Sequence, residues 1–195
     1  MCGISGFFSY SSVDENTVNL LLHSNKDMYH RGPDENTIWY DNNIVLAHVR
    51  LAIIGVDNGA QPIFNNDRSI VLICNGEIYN FDSLKKDLIK KGYSFKTNSD
   101  SEVILVLYQE YKENLYKYIK GMFAFALWDS NIKKLFLARD HAGKKPLYYS
   151  ETTKGIAFSS EINTLKKYFI KNPDINYDII KQTTKYSYSI SENET

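Results

Sequence analysis

The feature that most constrains the fold is a set of short apolar segments that occur in groups. Several are nearly continuous apolar runs of roughly four to eight residues, which is typical of strands covered on both faces. Because these segments do not alternate with helical ones, a doubly wound parallel sheet is disfavoured and an α+β fold built in layers is predicted. The predicted strands are residues 4–10, 44–48, 70–74, 122–129, 134–139, 147–150 and 155–159.

Helical periodicity appears between the groups of strands. Asp82 is a candidate N-cap for one helix, since a short acidic side chain can accept free backbone N–H groups. Ser99 and Glu102 have the S-x-x-E spacing of a capping box for the next helix. The predicted helices are residues 17–29 and 83–91, a segment after residue 102 and a segment after residue 160.

Length and charge exclude several classes of protein. The 195 residues fit one large domain or two small ones. The 23 Lys and Arg residues balance 23 Asp and Glu residues, which argues against a nucleic-acid-binding protein. No apolar run approaches the about 20 residues of a membrane span, and the start has no secretion signal. We therefore expect a cytoplasmic protein without nucleic-acid or membrane partners.

The cysteines and histidines do not form a metal-binding motif. Cys2 and Cys74 match no CxxC pattern, and the four histidines lack the HExxH spacing. We therefore predict no metal site and no cofactor in this chain. A disulfide between the two cysteines is not expected in a reducing cytosol.

Cys2 stands directly behind the initiator Met1 and before a small glycine. Removal of Met1 would leave Cys2 with a free α-amino group, whose reference pKa of about 7.7–8.0 is close to working pH. One residue would then supply both a nucleophile and a base. The alternative is an ordinary small hydrophobic residue, and position alone favours that interpretation.

The Asn75–Gly76 pair follows an apolar run that ends in Cys74. Cys74 is predicted to be a buried, unreactive strand residue. Asn-Gly is first a turn signal, because glycine tolerates positive φ. The same two residues could instead supply a side-chain amide and a backbone N–H to a developing oxyanion. Taken alone, the pair predicts a turn.

Two charged residues are candidate ligand-binding groups. The planar fork of Arg50 suits two-point capture of a carboxylate, although a surface salt bridge is the commoner role. Asp100 could hold a ligand ammonium, although capping a helix is the commoner role at its position. The polar segments 30–34 and 138–141 could be structural ion-pair corners.

The order and spacing of seven motifs resemble the class II glutamine amidotransferases. Within that family, the nearest likeness is to the N-terminal, glutaminase half of bacterial-type, glutamine-hydrolysing asparagine synthetases. The likeness covers roughly residues 2–169. The motifs are 1–4 (MCGI), 30–34 (HRGPD), 50–62, 75–80 (NGEIYN), 99–102, 121–126 (GMFAFA) and 138–149.

The resemblance implies an N-terminal-nucleophile hydrolase fold, with two stacked antiparallel sheets between helical layers in an αββα order. It implies that Cys2 attacks the side-chain amide of glutamine to form a γ-glutamyl thioester, and that Asn75 and Gly76 stabilise the oxyanion. The implied glutamine-binding residues are Arg50, Leu51, Ala52, Ile53, Ile54, Asn75, Gly76, Glu77 and Asp100.

Three positions depart from the family pattern. Gly55 stands where the family usually has Asp, Glu35 begins the segment that replaces a usual glycine after 30–34, and Lys144 replaces an apolar residue. None of these departures removes an implied catalytic residue. The departure at Lys144 puts the transfer of ammonia, or the identity of its acceptor, in doubt.

The chain holds no Ser-Gly-Gly-x-Asp or Walker A motif, so ATP and Mg²⁺ are expected only in a separate synthetase domain. We predict a glutamine amidotransferase domain at 2–170 and the start of a linker at 171–195, with the synthetase domain joined in cis or acting in trans. Alternatives are a different ammonia acceptor, such as a sugar or a natural product, and a glutamine-binding regulatory module with latent activity. A homodimer is a further option that the sequence leaves open.

Overall fold

The computed structural model describes residues 1–55, 57–170 and 176–187. The predicted linker at 171–195 therefore lies largely outside the described residues, and its described part contains a helix. The described strands are β1 (Gly3–Ser9), β2 (Glu35–Tyr40), β3 (Ile44–Arg50), β4 (Ile63–Phe64), β5 (Ile70–Ile78), β6 (Gly121–Asp129), β7 (Lys134–Arg139), β8 (Tyr148–Thr152) and β9 (Gly155–Ser159). The described α-helices are α1 (Glu15–Asp27), α2 (Phe81–Lys90), α3 (Glu102–Tyr111), α4 (Ile162–Tyr168) and α5 (Tyr177–Tyr186).

The strands form two antiparallel sheets. The five-stranded sheet has the order β2-β3-β1-β9-β8, and the four-stranded sheet has the order β4-β5-β6-β7. In the first sheet Gly3 of β1 lies opposite Val49 of β3. In the second sheet Gly76 of β5 lies opposite Phe123 of β6. These two registers place the chain start and the middle of β5 at the points where the candidate site forms.

Three apolar clusters separate four layers. The central cluster joins Ile4 and Leu46 of the five-stranded sheet to Ile73 and Trp128 of the four-stranded sheet. A second cluster packs α2 and α3 against β5 and β6, and a third packs α1 and α4 against β1, β3 and β9. The α+β class and the αββα order of layers are therefore confirmed. The nearly continuous apolar runs of the central strands drive this stacking, because each sheet is covered on both faces.

Most predicted strands are confirmed with small shifts at their ends. The main correction is at β5, which continues past Cys74 to Ile78. The turn predicted for Asn75–Gly76 is therefore wrong, because both residues pair with β6. Strands β2 and β4 were not predicted, since β2 is a partly exposed edge strand and β4 has only two residues.

The predicted helix caps differ from the observed ones. Helix α2 begins one residue before Asp82, which therefore lies inside the helix. Helix α3 begins at Glu102, and the Glu102 carboxylate accepts the backbone N–H groups of Lys96 (2.8 Å) and Thr97 (2.7 Å). The Glu102 carboxylate does not form a capping box with Ser99, because it accepts hydrogen bonds from the loop that precedes the helix instead.

None of the helices in the described part of the chain has the length and apolar character that a bilayer span requires. Within the same residues, no three His, Cys, Asp or Glu side chains cluster closely enough to hold a metal ion.

Candidate active site

A cavity of about 90 Å³ lies between the start of β1, the end of β3 and the middle of β5. Cys2 precedes Gly3 and Arg50 follows Val49, so the antiparallel register brings these two distant residues side by side. Strand β5 contributes the opposite wall. Predicted site residues that line the cavity are Cys2, Arg50, Leu51, Ile53, Ile54, Asn75, Gly76, Glu77 and Asp100.

The Cys2 thiol is partly exposed and faces the backbone of Leu51. The Leu51 N–H lies 3.4 Å from Sγ, and Sγ lies 3.6 Å from the Leu51 carbonyl oxygen. The backbone of Cys2 is held by Arg31, whose Nε donates to the Cys2 carbonyl at 3.0 Å. The chain start is thus anchored on both its backbone and its side chain, which fixes the position of the thiol.

Arg31 and Glu161 form the ion-pair corner that the sequence indicated for this segment. Glu161 accepts from Arg31 Nη1 at 3.3 Å and lies 2.7 Å from His30 Nε2. The structural interpretation of this segment is therefore confirmed. This ion pair also supports the cavity, because the same Arg31 side chain donates to the backbone of Cys2.

Asn75 is 1% exposed, and its side-chain Nδ2 has no hydrogen-bond partner within the described chain. A buried amide donor without an acceptor costs about 1–3 kcal/mol, so such a group marks a place where an acceptor is expected to bind. Gly76 beside it has no room for a side chain, because a Cβ there would lie 2.5 Å from the Met122 carbonyl oxygen. The strand therefore requires glycine at this position.

Arg50 is 3% exposed, so the surface salt bridge is wrong for this residue. Its guanidinium pairs with the Glu35 carboxylate and donates to the Gly55 carbonyl at 2.6 Å. Gly55 adopts a left-handed conformation (φ 63°), which glycine accepts without strain. Two of the departures from the family pattern, Glu35 and Gly55, are therefore the residues that hold Arg50.

Asp100 is 4% exposed, and its Oδ2 accepts the Ile78 N–H at 2.6 Å. Burial raises the pKa of the Asp100 carboxyl, and the nearby negative charge of Glu77 raises it further. Glu77 itself is half-buried and also lines the cavity. The two carboxyl groups make this end of the cavity favourable for a cation.

The remaining predicted residues lie on the loop after β3. Ile53 lines the cavity although its side chain is 72% exposed, so it forms the rim. Ala52 is not among the lining residues, and its N–H donates to Asp34 Oδ2 at 2.8 Å. Asp34 thus ties this loop to the segment that contains Arg31.

Gln61 and Lys145 are among the lining residues that the sequence reasoning did not select. Gln61 clamps the backbone of Cys74, with its Oε1 accepting the Cys74 N–H at 2.6 Å and its Nε2 donating to the Cys74 carbonyl at 3.1 Å. Lys145 is a buried lysine that lines the cavity. Each stands inside a motif of the resemblance, but nothing in the local pattern marks either as buried.

Comparison with known proteins gives the family. A family model described as a glutamine amidotransferase domain matches residues 1–195. The chain belongs to this family. The resemblance inferred from the seven motifs is thereby confirmed.

Curated relatives agree with this assignment. Glutamine-hydrolysing asparagine synthetase 1 of Bacillus subtilis (strain 168) is 39% identical over 180 residues, which are 91% of this chain. Glutamine-hydrolysing asparagine synthetase B of Escherichia coli (strain K12) is 41% identical over 166 residues, or 85% of this chain. The amidotransferase chain spans only 28% and 30% of the lengths of these two relatives.

A solved structure shows the same fold. The glutamine phosphoribosylpyrophosphate amidotransferase from B. subtilis, complexed with ADP and GMP, aligns with a TM-score of 0.70 at 21% identity. The alignment covers 85% of this chain and 43% of that one. At this identity the likeness establishes the fold, and it confirms the predicted N-terminal-nucleophile hydrolase architecture.

Proposed function

We propose that this domain hydrolyses L-glutamine to glutamate and ammonia through a thioester on Cys2. The observation that carries the proposal is the pairing of a thiol with a buried, unpartnered amide donor in one cavity. Cys2 supplies the nucleophile, and Asn75 Nδ2 supplies a donor for which the described chain has no acceptor. An oxyanion formed on the substrate amide would be that acceptor.

The charges of the cavity support glutamine as the ligand. A free amino acid carries one carboxylate and one ammonium group. Arg50 would bind the carboxylate with the guanidinium donors that Glu35 and Gly55 leave open. Asp100 and Glu77 would bind the ammonium, whose positive charge would offset both the burial of Asp100 and the repulsion between the two carboxylates.

The proposed reaction proceeds in two balanced halves. Cys2 Sγ attacks the amide carbon, and the thiol proton passes to the α-amino group that removal of Met1 exposes. The tetrahedral oxyanion, bound by Asn75 Nδ2 and the Gly76 N–H, collapses as the C–N bond breaks and the proton leaves with ammonia. Water then adds to the thioester, glutamate departs and the Cys2 thiol is restored. In the structure Met1 lines the cavity, so its removal would also open the site.

The fate of the ammonia is a wider proposal. Because the relatives are named glutamine-hydrolysing asparagine synthetases, we propose a synthetase domain, in cis or in trans, as the consumer of ammonia. ATP and Mg²⁺ would act in that domain and not in this one. Another acceptor, a latent glutamine-binding module, a homodimer and the cytoplasmic location remain predictions from the sequence.

The test is release of glutamate from L-glutamine by the purified chain, compared with the Cys2→Ala variant. Intact mass measurement must first show that Met1 has been removed from the wild-type chain. We expect measurable turnover for the wild type and a loss of at least about 1000-fold in Cys2→Ala, because the other thiol in the cavity, Cys74, is buried and its pKa is raised, so it cannot replace the nucleophile. Equal glutamate release by the two proteins would overturn the mechanism.

A further inference from the structure

Lys145 is an unusual residue in this cavity. It is 8% exposed and contributes to the cavity wall. Its backbone forms hydrogen bonds, but within the described chain its side chain has neither a hydrogen bond nor an ion pair. Lysine is almost never buried unless its charge is paired. Glu77 and Asp100 line the same cavity, but neither forms an ion pair with Lys145 within the described chain, so the ammonium group is available to an anion that forms there.

The loop that carries Lys145 is held rigidly. The Asp140 carboxylate accepts the backbone N–H groups of Phe123 (3.2 Å), Ala142 (3.1 Å), Lys144 (3.0 Å) and Lys145 (3.0 Å). Burial of Asp140 opposes its ionisation, but these bonds outweigh it and hold the pKa of the carboxyl below its usual value. Asp140 is thus not part of an ion-pair corner, as the sequence suggested, but an anchor for the loop.

Arg139 completes the support of this loop. Its Nε donates to the Lys145 carbonyl at 2.9 Å, and its Nη2 donates to the Gly143 carbonyl at 2.6 Å. The Lys145 backbone is therefore fixed at both its N–H and its carbonyl. A loop fixed in this way directs one side chain to a defined place.

Asp140, which anchors this loop, lies close to the strand residues that would hold the oxyanion. Phe123 and Lys145 donate to the same Asp140 oxygen, and Phe123 lies opposite Gly76 in the sheet. Gly76 and its neighbour Asn75 are the proposed oxyanion donors. The backbone of Lys145 therefore lies beside the strand pair that would hold the oxyanion, and its side chain lines the cavity, whereas Arg50 belongs to the end of β3.

Arg50, the other cationic side chain among the described residues that line the cavity, cannot supply the positive charge that Lys145 supplies. Arg50 already pairs with Glu35, so its charge is balanced before a ligand binds. A zwitterionic ligand adds no net charge. Attack on its amide separates charge, because the substrate oxygen becomes negative while the Cys2 α-amino group that takes the thiol proton becomes positive. The titratable and charged groups that line the cavity are Cys2, Arg50, Cys74, Glu77, Asp100 and Lys145.

We propose that Lys145 supplies the positive charge that stabilises the anion formed at Cys2, first as thiolate and then as the tetrahedral oxyanion. This inference rests on the proposed glutaminase function and adds to it a residue that the family motifs did not assign. The charge is enclosed in a small cavity, where it acts more strongly than it would in water.

Steady-state kinetics of the full chain test the proposal with three variants. Lys145→Met retains the aliphatic stem but removes the charge, Lys145→Arg retains the charge, and Lys144→Met is the matched control on an exposed neighbour. We expect Lys145→Met to lower kcat on the order of 10-fold with little change in KM. Lys145→Arg should recover part of the loss, and Lys144→Met should match the wild type. A rise in KM alone, or equal losses in Lys145→Arg and Lys145→Met, would contradict the proposal.

Alkylation of Cys2 by iodoacetamide at one fixed pH gives a readout that needs no turnover. The thiolate is the reactive form, and the reagent is neutral. We expect Lys145→Met to slow alkylation by roughly threefold or more relative to wild type and Lys144→Met. Peptide mass mapping assigns the modification to Cys2, and thermal unfolding checks that each variant is folded. Wild-type alkylation that depends on Lys145 without glutamate release would overturn the proposed function alone. Alkylation and kcat that are both unchanged in Lys145→Met would overturn the role of Lys145.

Discussion

The two cysteines contact the same cavity but have opposite surroundings. Cys2 lies just before β1 and is partly exposed, with its thiol against the Leu51 backbone. Cys74 lies inside β5, where burial raises the pKa of its thiol and the charge of Asp100 raises it further. A thiol acts as a nucleophile only in its ionised form. Burial thus makes Cys74 a structural residue, whereas the partly exposed Cys2 is the proposed nucleophile.

The backbone of the buried Cys74 also contributes to the site that contains Cys2. Gln61 accepts the Cys74 N–H and donates to the Cys74 carbonyl, which His48 Nε2 also approaches at 3.2 Å. These contacts fix the backbone of β5 immediately before Asn75. The interior therefore positions the proposed oxyanion donor, while the chain start carries the proposed nucleophile.

On the Cys74 side of the cavity, the largest effect is expected when the donor beside Cys74 is removed. Asn75→Ala should lower kcat for glutamine hydrolysis by on the order of 100- to 1000-fold, because the oxyanion loses a preorganised donor. Asn75→Asp should be at least as impaired, since a carboxylate repels the oxyanion. Asn66→Ala, at an exposed turn, is the control. Wild-type kcat in Asn75→Ala would show that β5 does not serve the reaction.

An intermediate effect should appear in the pH dependence of stability. Burial lowers the pKa of His48 from its ordinary value to about 4. The unfolded chain therefore binds a proton at higher pH than the folded one. The contribution of His48 to stability is complete above about pH 6.5 and is lost as the pH falls toward 4, by about 3 kcal/mol in total.

Urea unfolding at several pH values between 7 and 4 measures this loss. His48→Gln should flatten the pH dependence of the free energy of unfolding, whereas His23→Gln, which changes an exposed histidine, should leave it unchanged. Identical slopes for wild type and His48→Gln would contradict a neutral, buried His48.

The smallest effect is expected at Cys74 itself. Cys74→Ala should destabilise the fold by only about 1 kcal/mol and keep kcat within about threefold of wild type. Iodoacetamide should leave Cys74 unmodified in the native chain and modify it after unfolding, as peptide mass mapping would detect. Rapid native modification of Cys74, or a large loss of kcat in Cys74→Ala, would erase the distinction between the two cysteines.

The sequence predicted the fold where local pattern and tertiary context agree. Strands β7 and β9 have the predicted bounds, because each is an apolar segment between turns. Strand β2 escaped prediction because edge strands carry polar residues on their exposed positions. Asn75–Gly76 was misread because turn propensity is local, whereas pairing with β6 is a long-range interaction that outweighs it.

The sequence predicted only part of the candidate site, because local pattern does not report contacts between distant residues. Local spacing selected Cys2, Arg50 and Asp100, since their chemistry and order match a family pattern. It did not select Glu35 or Lys145, because partnership with Arg50 and burial in the cavity depend on residues far along the chain. The prediction of a surface salt bridge for Arg50 was wrong for the same reason, since the burial of Arg50 also depends on distant residues.

By itself, the sequence determined the layered α+β class, the family and the chemical groups available for catalysis. Only the tertiary structure decided which groups meet, which are buried and which are left without a partner. The physical reason is that composition and periodicity act over a few residues. The antiparallel registers of β1 with β3 and of β5 with β6 bring together side chains from distant parts of the chain.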